Sequence, residues 1–383
     1  MSRPSWAAAL SALALLSGCG PPDAAMAGGR AVRTESPAGP RSVLPRLLLL
    51  DWFGSSPVAT PATVRDHQAF LESGPFDGLA LYLRSPDLAT NITASVLGET
   101  RVAPADIDRV LEPLEALRFE RLLHNYAAVQ SQNPPDLFDD WTGVVWNFTQ
   151  LARSARRVHL EGIVLDNENY GRRWADYPAG VAYPQKSLRE YQDQAFLRGR
   201  QVMEGMTSVF PELSLLVLHG PYLSERRAPH PLFPDWERTN LLQGPFFAGL
   251  VDGAGAAATV IDGGELYHLR SDRDFQDSYE WRRAELPSER TPSAWLRPAV
   301  RARWGSRVGI AFGLYDRPFD GAPMDPRILR RTLERALART DAVVWLYVEG
   351  PSFLLPPEQG GAGAEWVTAV REGKAAGLRR RSP

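Results

Sequence analysis

Two carboxylates, Asp166 and Glu168, stand at the end of the short apolar run 162–165. Side chains alternate between the two faces of a strand, so these two acids are expected to point the same way. Like charges on one face do nothing for a core, but they suit chemistry that needs one protonated and one ionised carboxyl. The alternative is a polar strand end whose acids pair with Arg172 or Arg173. Because acids recur at other strand ends, we favour the chemical interpretation.

Apolar runs alternate with segments of helical periodicity along the chain, which is typical of parallel βα units. The sequence predicts eight strands at 47–50, 77–83, 121–126, 162–168, 213–218, 256–261, 308–312 and 342–348. Eight such units predict an α/β fold, a single (β/α)8 TIM barrel with loop insertions over residues 45–372 and no second domain.

Polar and aromatic side chains follow nearly every predicted strand, and active sites of such barrels lie at the carboxyl ends of the strands. The candidate binding residues at these ends are Asp51, Trp52, Tyr82, His124, Asn125, Tyr126, Tyr170, His219, Asp262, Tyr315, Asp316 and Tyr347. Because the strand interiors are apolar, this asymmetry is the main argument for a site at one mouth of the barrel.

Glycoside hydrolysis requires two carboxyl groups that flank a bond, with aromatic and hydrogen-bonding groups around them. Glu168 is our candidate proton donor, and Glu349, at the end of the eighth predicted strand, is the candidate second carboxylate. Asp166 is expected to raise the pKa of Glu168 through like-charge proximity. Two alternatives stay open: Asp316 could partner Glu168, and Glu349 could be a rim carboxylate bonded to loop amides.

Composition and missing motifs narrow the function classes. The formal net charge is only −2, so no nucleic-acid partner is expected, while 11 Trp and 11 Tyr suit a carbohydrate substrate. There is no His-x-His pair on the first strand, no glycine-rich phosphate loop and no Gly-x-Ser-x-Gly elbow. We therefore expect neither a metal nor another cofactor.

The fourth predicted strand also carries a family resemblance. Asn167-Glu168 resembles the Asn-Glu pair of clan A barrel glycosidases, and Asp166-x-Glu168 resembles the end of the chitinase-type signature. Both resemblances imply that Glu168 is the acid. The chain departs from both patterns: Ile163, Val164 and Leu165 stand where chitinases carry further aspartates, and the seventh strand ends in Asp316 and not in a glutamate. The similarity, over about residues 45–370, is to the glycosidase barrel superfamily and not to one named family.

The N-terminal sequence predicts a cellular address. Leu16-Ser17-Gly18-Cys19 resembles the bacterial lipobox, and Cys19 is the only cysteine in the chain. This implies a lipoprotein signal peptide over 1–19, lipidation of Cys19, and a location in the bacterial cell envelope through a membrane anchor. Residues 20–44 are expected to form a disordered tether and residues 373–383 a disordered basic tail.

Together these features predict a lipid-anchored, extracytoplasmic glycoside hydrolase that uses carboxylate acid/base chemistry. The alternative is a non-catalytic carbohydrate-binding or surface-assembly lipoprotein that kept the barrel, since the seventh strand lacks the expected glutamate.

Overall fold

Nine parallel strand segments surround a common axis among the described residues. The computed structural model describes residues 44–52, 57–85, 87, 89–224, 240–290, 293, 295–317 and 323–381. The sheet runs in the order β7-β6-β5-β4-β3-β2-β1-β9-β8, with every pairing parallel. The predicted signal peptide, Cys19 and the tether up to residue 43 lie outside the described residues.

The strands are β1 (Arg46–Leu50), β2 (Gly78–Leu81), β3 (Tyr126–Gln132), β4 (Gly162–Tyr170), β5 (Ser214–Val217), β6 (Thr259–Asp262), β7 (Val308–Ile310), β8 (Phe312–Tyr315) and β9 (Val343–Tyr347). The helices are α1 (Pro61–Ser73), α2 (Ile92–Ser95), α3 (Pro104–Leu111), α4 (Thr142–Arg157), α5 (Leu188–Val209), α6 (Gln243–Gly253), α7 (Asp272–Glu280), α8 (Pro298–Arg307), α9 (Pro326–Arg339) and α10 (Ala364–Arg381). A π-helical turn, Trp281–Glu285, follows α7.

The segments β7 and β8 are one bent strand that closes the barrel. Only Ala311 separates them; β7 pairs with β6, and β8 pairs with β9. The backbone N–H of Ala311 donates to Asp262 O at 2.8 Å, so the bend stays attached to β6. Counting this pair as one strand gives the eight strands of a closed cylinder, and the predicted (β/α)8 barrel is confirmed.

The burial of the strands explains their apolar sequences. One cluster, which includes Leu48, Val164, Leu216 and Trp345, fills the barrel interior. A second, larger cluster packs the outer strand faces against the surrounding helices. Strands that are buried on both faces read as continuous apolar runs, and for this reason most of them could be located from sequence.

The third strand is the exception, because it begins at Tyr126 and not at residue 121. Asn125 precedes it and is held by its own side chain, which donates to Leu122 O at 2.6 Å and accepts from Leu79 N–H at 2.9 Å. His124, Asn125 and Tyr126 therefore lie at the amino end of β3. The prediction that they face the carboxyl-end mouth was wrong.

The C-terminal helix α10 extends to Arg381, whereas a disordered tail was expected from residue 373. Gly373 allows α10 to pack closely on α9, since a Cβ there would lie 2.7 Å from Arg330 O. The guanidinium of Arg380 pairs with Asp272 at 2.8 Å. The basic residues are therefore ordered by contacts with the barrel's outer helices. No helix within the described residues is long and apolar enough to cross a bilayer.

Candidate active site

A histidine at the carboxyl-end mouth contacts two glutamates from neighbouring strands. His219 Nε2 lies 3.1 Å from Glu168 Oε1 and 3.4 Å from Glu265 Oε2. Glu168 belongs to β4, His219 follows β5, and Glu265 follows β6. Asn167 fixes the backbone of His219 from both sides, because its Oδ1 accepts from His219 N–H and its Nδ2 donates to His219 O, both at 2.9 Å. Three consecutive strands thus deliver two carboxylates to one imidazole nitrogen.

The carboxyl groups at this mouth differ in their affinity for a proton. Burial raises the pKa of Glu265 to about 8, and the negative charges of Glu168 and Asp166 add to the effect of burial. Burial also raises the pKa of Asp166 to about 7, with a further contribution from the charge of Glu168. These two groups hold protons where an exposed carboxyl would be ionised.

Glu168 behaves in the opposite way. Burial acts to raise its pKa, but the hydrogen bond and charge of His219 outweigh burial, and the pKa of Glu168 is lowered. Its side chain is 35% exposed, against 11% for Glu265. The expectation that Asp166 would raise the pKa of Glu168 was wrong, because His219, which the sequence did not place beside Glu168, dominates its surroundings.

A wall of tyrosines connects these acids to the last strands of the barrel. Tyr170 hydrogen-bonds Glu168, and Tyr267 hydrogen-bonds Glu265. The ring of Tyr267 lies 5.1 Å from that of Tyr315, which stacks on Tyr347 at 5.0 Å with an interplanar angle of 27°. The rings are therefore in contact from Tyr267, after β6, to Tyr347 on β9.

Glu349 ends this wall, and its carboxylate accepts hydrogen bonds from two tyrosine hydroxyls. Tyr315 OH donates to its Oε2 at 2.7 Å, and Tyr347 OH donates to its Oε1 at 2.6 Å. Beneath it, the buried carboxylate of Asp316 accepts from the N–H groups of Glu349 and Gly350 at 3.0 and 2.8 Å. Asp316 is fully buried, so it positions the Glu349 turn and does not face a ligand.

Side chains from the first three strands line the other side of the mouth. The rings of Trp52 and Tyr82 are 6.5 Å apart, and Trp52 Nε1–H donates to Ala80 O at 2.7 Å. Gln130 Nε2–H donates to Asp166 Oδ2 at 3.2 Å and so links β3 to the acids of β4.

Two predicted binding residues are buried below the mouth. Asp51 and Asp262 have no exposed surface. Ser352 Oγ–H donates to Asp51 Oδ2 at 3.1 Å, and Arg282 pairs with Asp262 at 3.0 Å. The prediction that they contact substrate was wrong, since a side chain at the carboxyl end of a strand can still point into the barrel wall and not into the mouth.

Three residues of the site were missed from sequence: Gln130, Glu265 and Tyr267. Gln130 was missed because β3 was placed too early along the chain. Glu265 follows Asp262-Gly263-Gly264, and this pair of glycines after a strand is the signal that could have extended the candidate site to the next acid. Tyr267 then follows at the spacing that returns its side chain toward Glu265.

Glu168, His219 and Glu265 are the group among the described residues that could hold a metal ion. One ligand atom each from Glu168, His219 and Glu265 lies within 4.8 Å of the others. Two carboxylates and an imidazole are a donor set that zinc and related ions accept. The alternative use of the same atoms is proton transfer between the carboxyl groups and a substrate.

The fold and this mouth together define a (β/α)8 barrel with an acid–histidine site at the carboxyl ends of its strands. No protein-family model matches the chain, and no curated protein matches its sequence. Solved structures do match in fold, and they include barrel glycoside hydrolases.

Three of these structures illustrate the likeness. A β-mannanase from the blue mussel Mytilus edulis has 9% identity and a TM-score of 0.43, with 86% of this chain and 92% of that chain covered. An exo-β-1,4-mannosidase from Opitutaceae bacterium strain TAV5 has 15% identity and a TM-score of 0.45, with 92% and 64% covered. A hyperthermophilic chitinase catalytic domain from Pyrococcus furiosus has 9% identity and a TM-score of 0.44, with 90% and 98% covered. At these identities the likeness extends to the fold alone.

Proposed function

We propose that the protein is a glycoside hydrolase whose reacting carboxyl groups are Glu168 and Glu265. The observation that carries this proposal is their convergence on His219 Nε2, at 3.1 and 3.4 Å, from two different strands. One carboxyl with a lowered pKa beside one with a raised pKa is the pairing that acid-assisted displacement at an anomeric carbon requires.

The pKa values assign the two roles. Glu265, with a pKa of about 8, donates its proton to the leaving-group oxygen. The ionised and more exposed Glu168 attacks the anomeric carbon, and the bond from that carbon to the leaving oxygen breaks. Water then attacks the glycosyl ester, its proton passes to Glu265, and the Glu168 carboxylate is released with the free sugar. The sequence suggested a different assignment, in which Glu168 was the proton donor and Glu349 its partner; here Glu168 is the nucleophile, and Glu265 takes the place of Glu349 as its partner and donates the proton.

The separation of the carboxyl groups implies the stereochemical outcome. Glu168 and Glu265 each present an oxygen within 4.8 Å of the other. Retaining glycosidases hold their two carboxyl groups about 5–5.5 Å apart, whereas inverting enzymes leave roughly 6.5–9.5 Å for a water molecule. We therefore propose retention of configuration.

The surroundings of the acids support a carbohydrate substrate. The partly exposed rings of Tyr267, Tyr315 and Tyr347 offer apolar faces with polar edges. Such rings pack against the C–H faces of sugar rings while their hydroxyls bond sugar oxygens. Trp52 and Tyr82, in contrast, are buried in the interior cluster.

Hydrolysis of panels of polysaccharides and chromogenic glycosides tests the proposal. On any substrate that is turned over, Glu168→Gln should lower kcat by about 10²–10⁴-fold in a variant that still folds cooperatively. NMR of the first product formed should show the anomeric configuration of the substrate. Undiminished turnover by Glu168→Gln would refute the assignment, and saccharide binding without turnover would instead identify the non-catalytic carbohydrate-binding alternative.

Chelation separates carboxylate chemistry from metal chemistry at the same atoms. We expect activity to survive dialysis against EDTA, because the proposed displacement uses protons and no Lewis acid. Loss of activity on chelation, with recovery on adding a divalent ion, would show that Glu168, His219 and Glu265 act as ligands.

The proposal also includes the cellular location of the protein. We propose that Cys19 is lipidated and holds the barrel at the bacterial cell envelope, facing away from the cytoplasm, as its lipobox resemblance implies. Mass spectrometry of the membrane fraction should find a diacylglyceryl group on the N-terminal Cys19 peptide. Cys19→Ala should move the protein out of that fraction, and its retention there would contradict the anchor.

A further inference from the structure

A buried arginine lies directly behind the turn that carries Glu265. Arg282 comes from the π-helical turn Trp281–Glu285, in which Leu286 N–H donates to Trp281 O at 2.8 Å. Its side chain is fully buried, with the guanidinium 4.8 Å from the centroid of the Phe312 ring. π-Helical turns are rare overall but frequent at functional sites, so the contacts of Arg282 bear on the function of the mouth.

The guanidinium of Arg282 joins the two strands that flank this turn. Its Nη1 donates to Asp262 Oδ1 at 3.0 Å, at the end of β6, and its Nη2 donates to Ala311 O at 2.8 Å, at the bend between β7 and β8. Asp262 Oδ1 also accepts from Gly264 N–H at 3.1 Å. One carboxylate oxygen therefore connects the arginine to the turn.

The turn itself has little freedom once these contacts are made. Gly264 adopts φ +60°, a conformation that favours glycine, and its carbonyl accepts from Gly313 N–H at 3.0 Å. Trp345 Nε1–H donates to Gly263 O at 2.8 Å. Glu265 N–H donates to Leu218 O at 3.2 Å, one residue before His219. The backbone of Glu265 is thus fixed relative to the imidazole that its side chain contacts.

We propose that Arg282 is a positioning residue for Glu265. By holding Asp262 and Ala311 together, it fixes the turn 263–265 and keeps the Glu265 carboxyl within reach of His219 and of a leaving-group oxygen. It also neutralises the buried charge of Asp262, which would otherwise add to the negative charge of the mouth. The inference deepens the proposed function and rests on it for the chemical role of Glu265.

The neighbouring Arg283 provides a matched control. It comes from the same π-helical turn and is also buried, but it donates to Val308 O and Gly305 O, at the amino end of β7. Arg282→Met and Arg283→Met therefore remove the same group at the same depth from opposite ends of the barrel. Each is expected to lower stability, so stability alone does not distinguish them.

Kinetics and amide exchange of the full chain distinguish them. We expect Arg282→Met to lower kcat by about 10²-fold with KM within about twofold of the parent, because displacing a catalytic group by about 1 Å has that effect. Arg282→Lys should recover part of kcat, while Arg283→Met should retain it. Hydrogen exchange of the peptide over residues 262–266 should accelerate in Arg282→Met and stay unchanged in Arg283→Met.

The outcomes separate this inference from the proposed function. Parental kcat and exchange in Arg282→Met, or equal losses in Arg283→Met, would overturn the positioning role. If no saccharide is hydrolysed by the parent, the proposed function fails, while exchange still reports whether Arg282 fixes the turn. Should Arg282→Met not fold, the double variant Asp262→Asn with Arg282→Met removes both charges and leaves no unpaired ion in the core. It is expected to show the same exchange and kcat losses, and parental values would refute the inference.

Discussion

The two ends of the barrel each hold a histidine beside a glutamate, but the pKa of Glu161 at the amino end is lowered, whereas that of Glu265 at the carboxyl end is raised. At the amino end, Glu161 lies between Arg46 and His124, whose Nδ1 is 2.9 Å from Glu161 Oε2. Burial alone would raise the pKa of Glu161, yet these partners lower it. At the carboxyl end, a single histidine faces two glutamates, and the pKa of Glu265 is raised to about 8.

The two clusters differ in how their charges affect the stability of the fold. The amino-end cluster of Arg46, His124 and Glu161 has a cation for its acid, so its charges contribute to stability. The mouth gathers Asp166, Glu168 and Glu265 around His219. The charge of Glu168 raises the pKa of both Asp166 and Glu265, and the charge of Asp166 also raises that of Glu265. Natural folds tolerate such an arrangement where chemistry or binding benefits from it.

The largest expected difference between the ends is in activity. Glu265→Gln should lower kcat about 10²–10⁴-fold, because the leaving group loses its proton donor. Glu161→Gln, at the amino end, should leave kcat near the parental value. Initial rates on a confirmed glycoside measure both, and a loss in Glu161→Gln as large as that in Glu265→Gln would remove the functional distinction between the two ends.

Stability should change with opposite signs. The folded-state pKa of Glu265 is above its unfolded value, so its contribution to stability is present at low pH and is lost as pH rises through about 8. Glu265→Gln should therefore gain on the order of 5 kcal/mol at pH 8.5 and nothing near pH 4, because the pKa of Glu265 is about 3.7 pH units above the ordinary value and each unit corresponds to about 1.36 kcal/mol. The folded-state pKa of Glu161 is lowered, so its contribution is present at neutral pH and is lost on acidification; Glu161→Gln should be destabilised at pH 7.

Denaturant titrations at pH 4, 7 and 8.5 measure these differences in the free energy of unfolding. Destabilisation of Glu265→Gln at pH 8.5 would mean that the surroundings stabilise the Glu265 carboxylate, which contradicts a raised pKa for this group.

The two histidines should differ in their effect on the pH profile. His219 lowers the pKa of Glu168, so His219→Asn should raise that pKa and move the acidic limb of kcat/KM upward by about one pH unit. His124→Asn should leave the limb in place, because His124 contacts Glu161 at the other end. An acidic limb that is unmoved in His219→Asn would show that Glu168 is not the group that must ionise.

The smallest expected effect concerns a tyrosine hydroxyl. The hydrogen bond of Tyr267 lowers the pKa of Glu265, so Tyr267→Phe should raise that pKa and move the basic limb upward by roughly half a pH unit. Tyr126→Phe, which loses a hydroxyl bonded to Ser214 at 3.1 Å, is the control from inside the barrel near its amino end. A downward shift in Tyr267→Phe would contradict the sign of this hydrogen bond.

The sequence was sufficient for the barrel because buried parallel strands have an unmistakable apolar pattern. Runs such as β1 and β4, followed at once by Asp51 or Asp166, locate both the strand and its carboxyl end. Asp166 and Glu168, which alternation along β4 places on one face, both lie at the mouth, where the charge of Glu168 raises the pKa of Asp166.

The sequence was insufficient where side chains decide the geometry. The local sequence does not distinguish Asp262, which is buried against Arg282, from Asp166, which borders the mouth. The difference is the ion pair with Arg282, which comes from a π-helical turn twenty residues after Asp262. His124 and His219 each lie next to an apolar strand, but His124 precedes β3, whereas His219 follows β5. Only the pairing of β3 with β4 from Tyr126 onward separates them.

The protonation of Glu265 is the most direct test of these ideas, and it requires no substrate. We propose to titrate the side-chain carboxyl carbon of Glu265 by ¹³C NMR in glutamate-labelled protein, with Glu265→Gln to assign the resonance. We expect a midpoint near pH 8. A midpoint at the ordinary value of about 4.3 for a glutamate would contradict it.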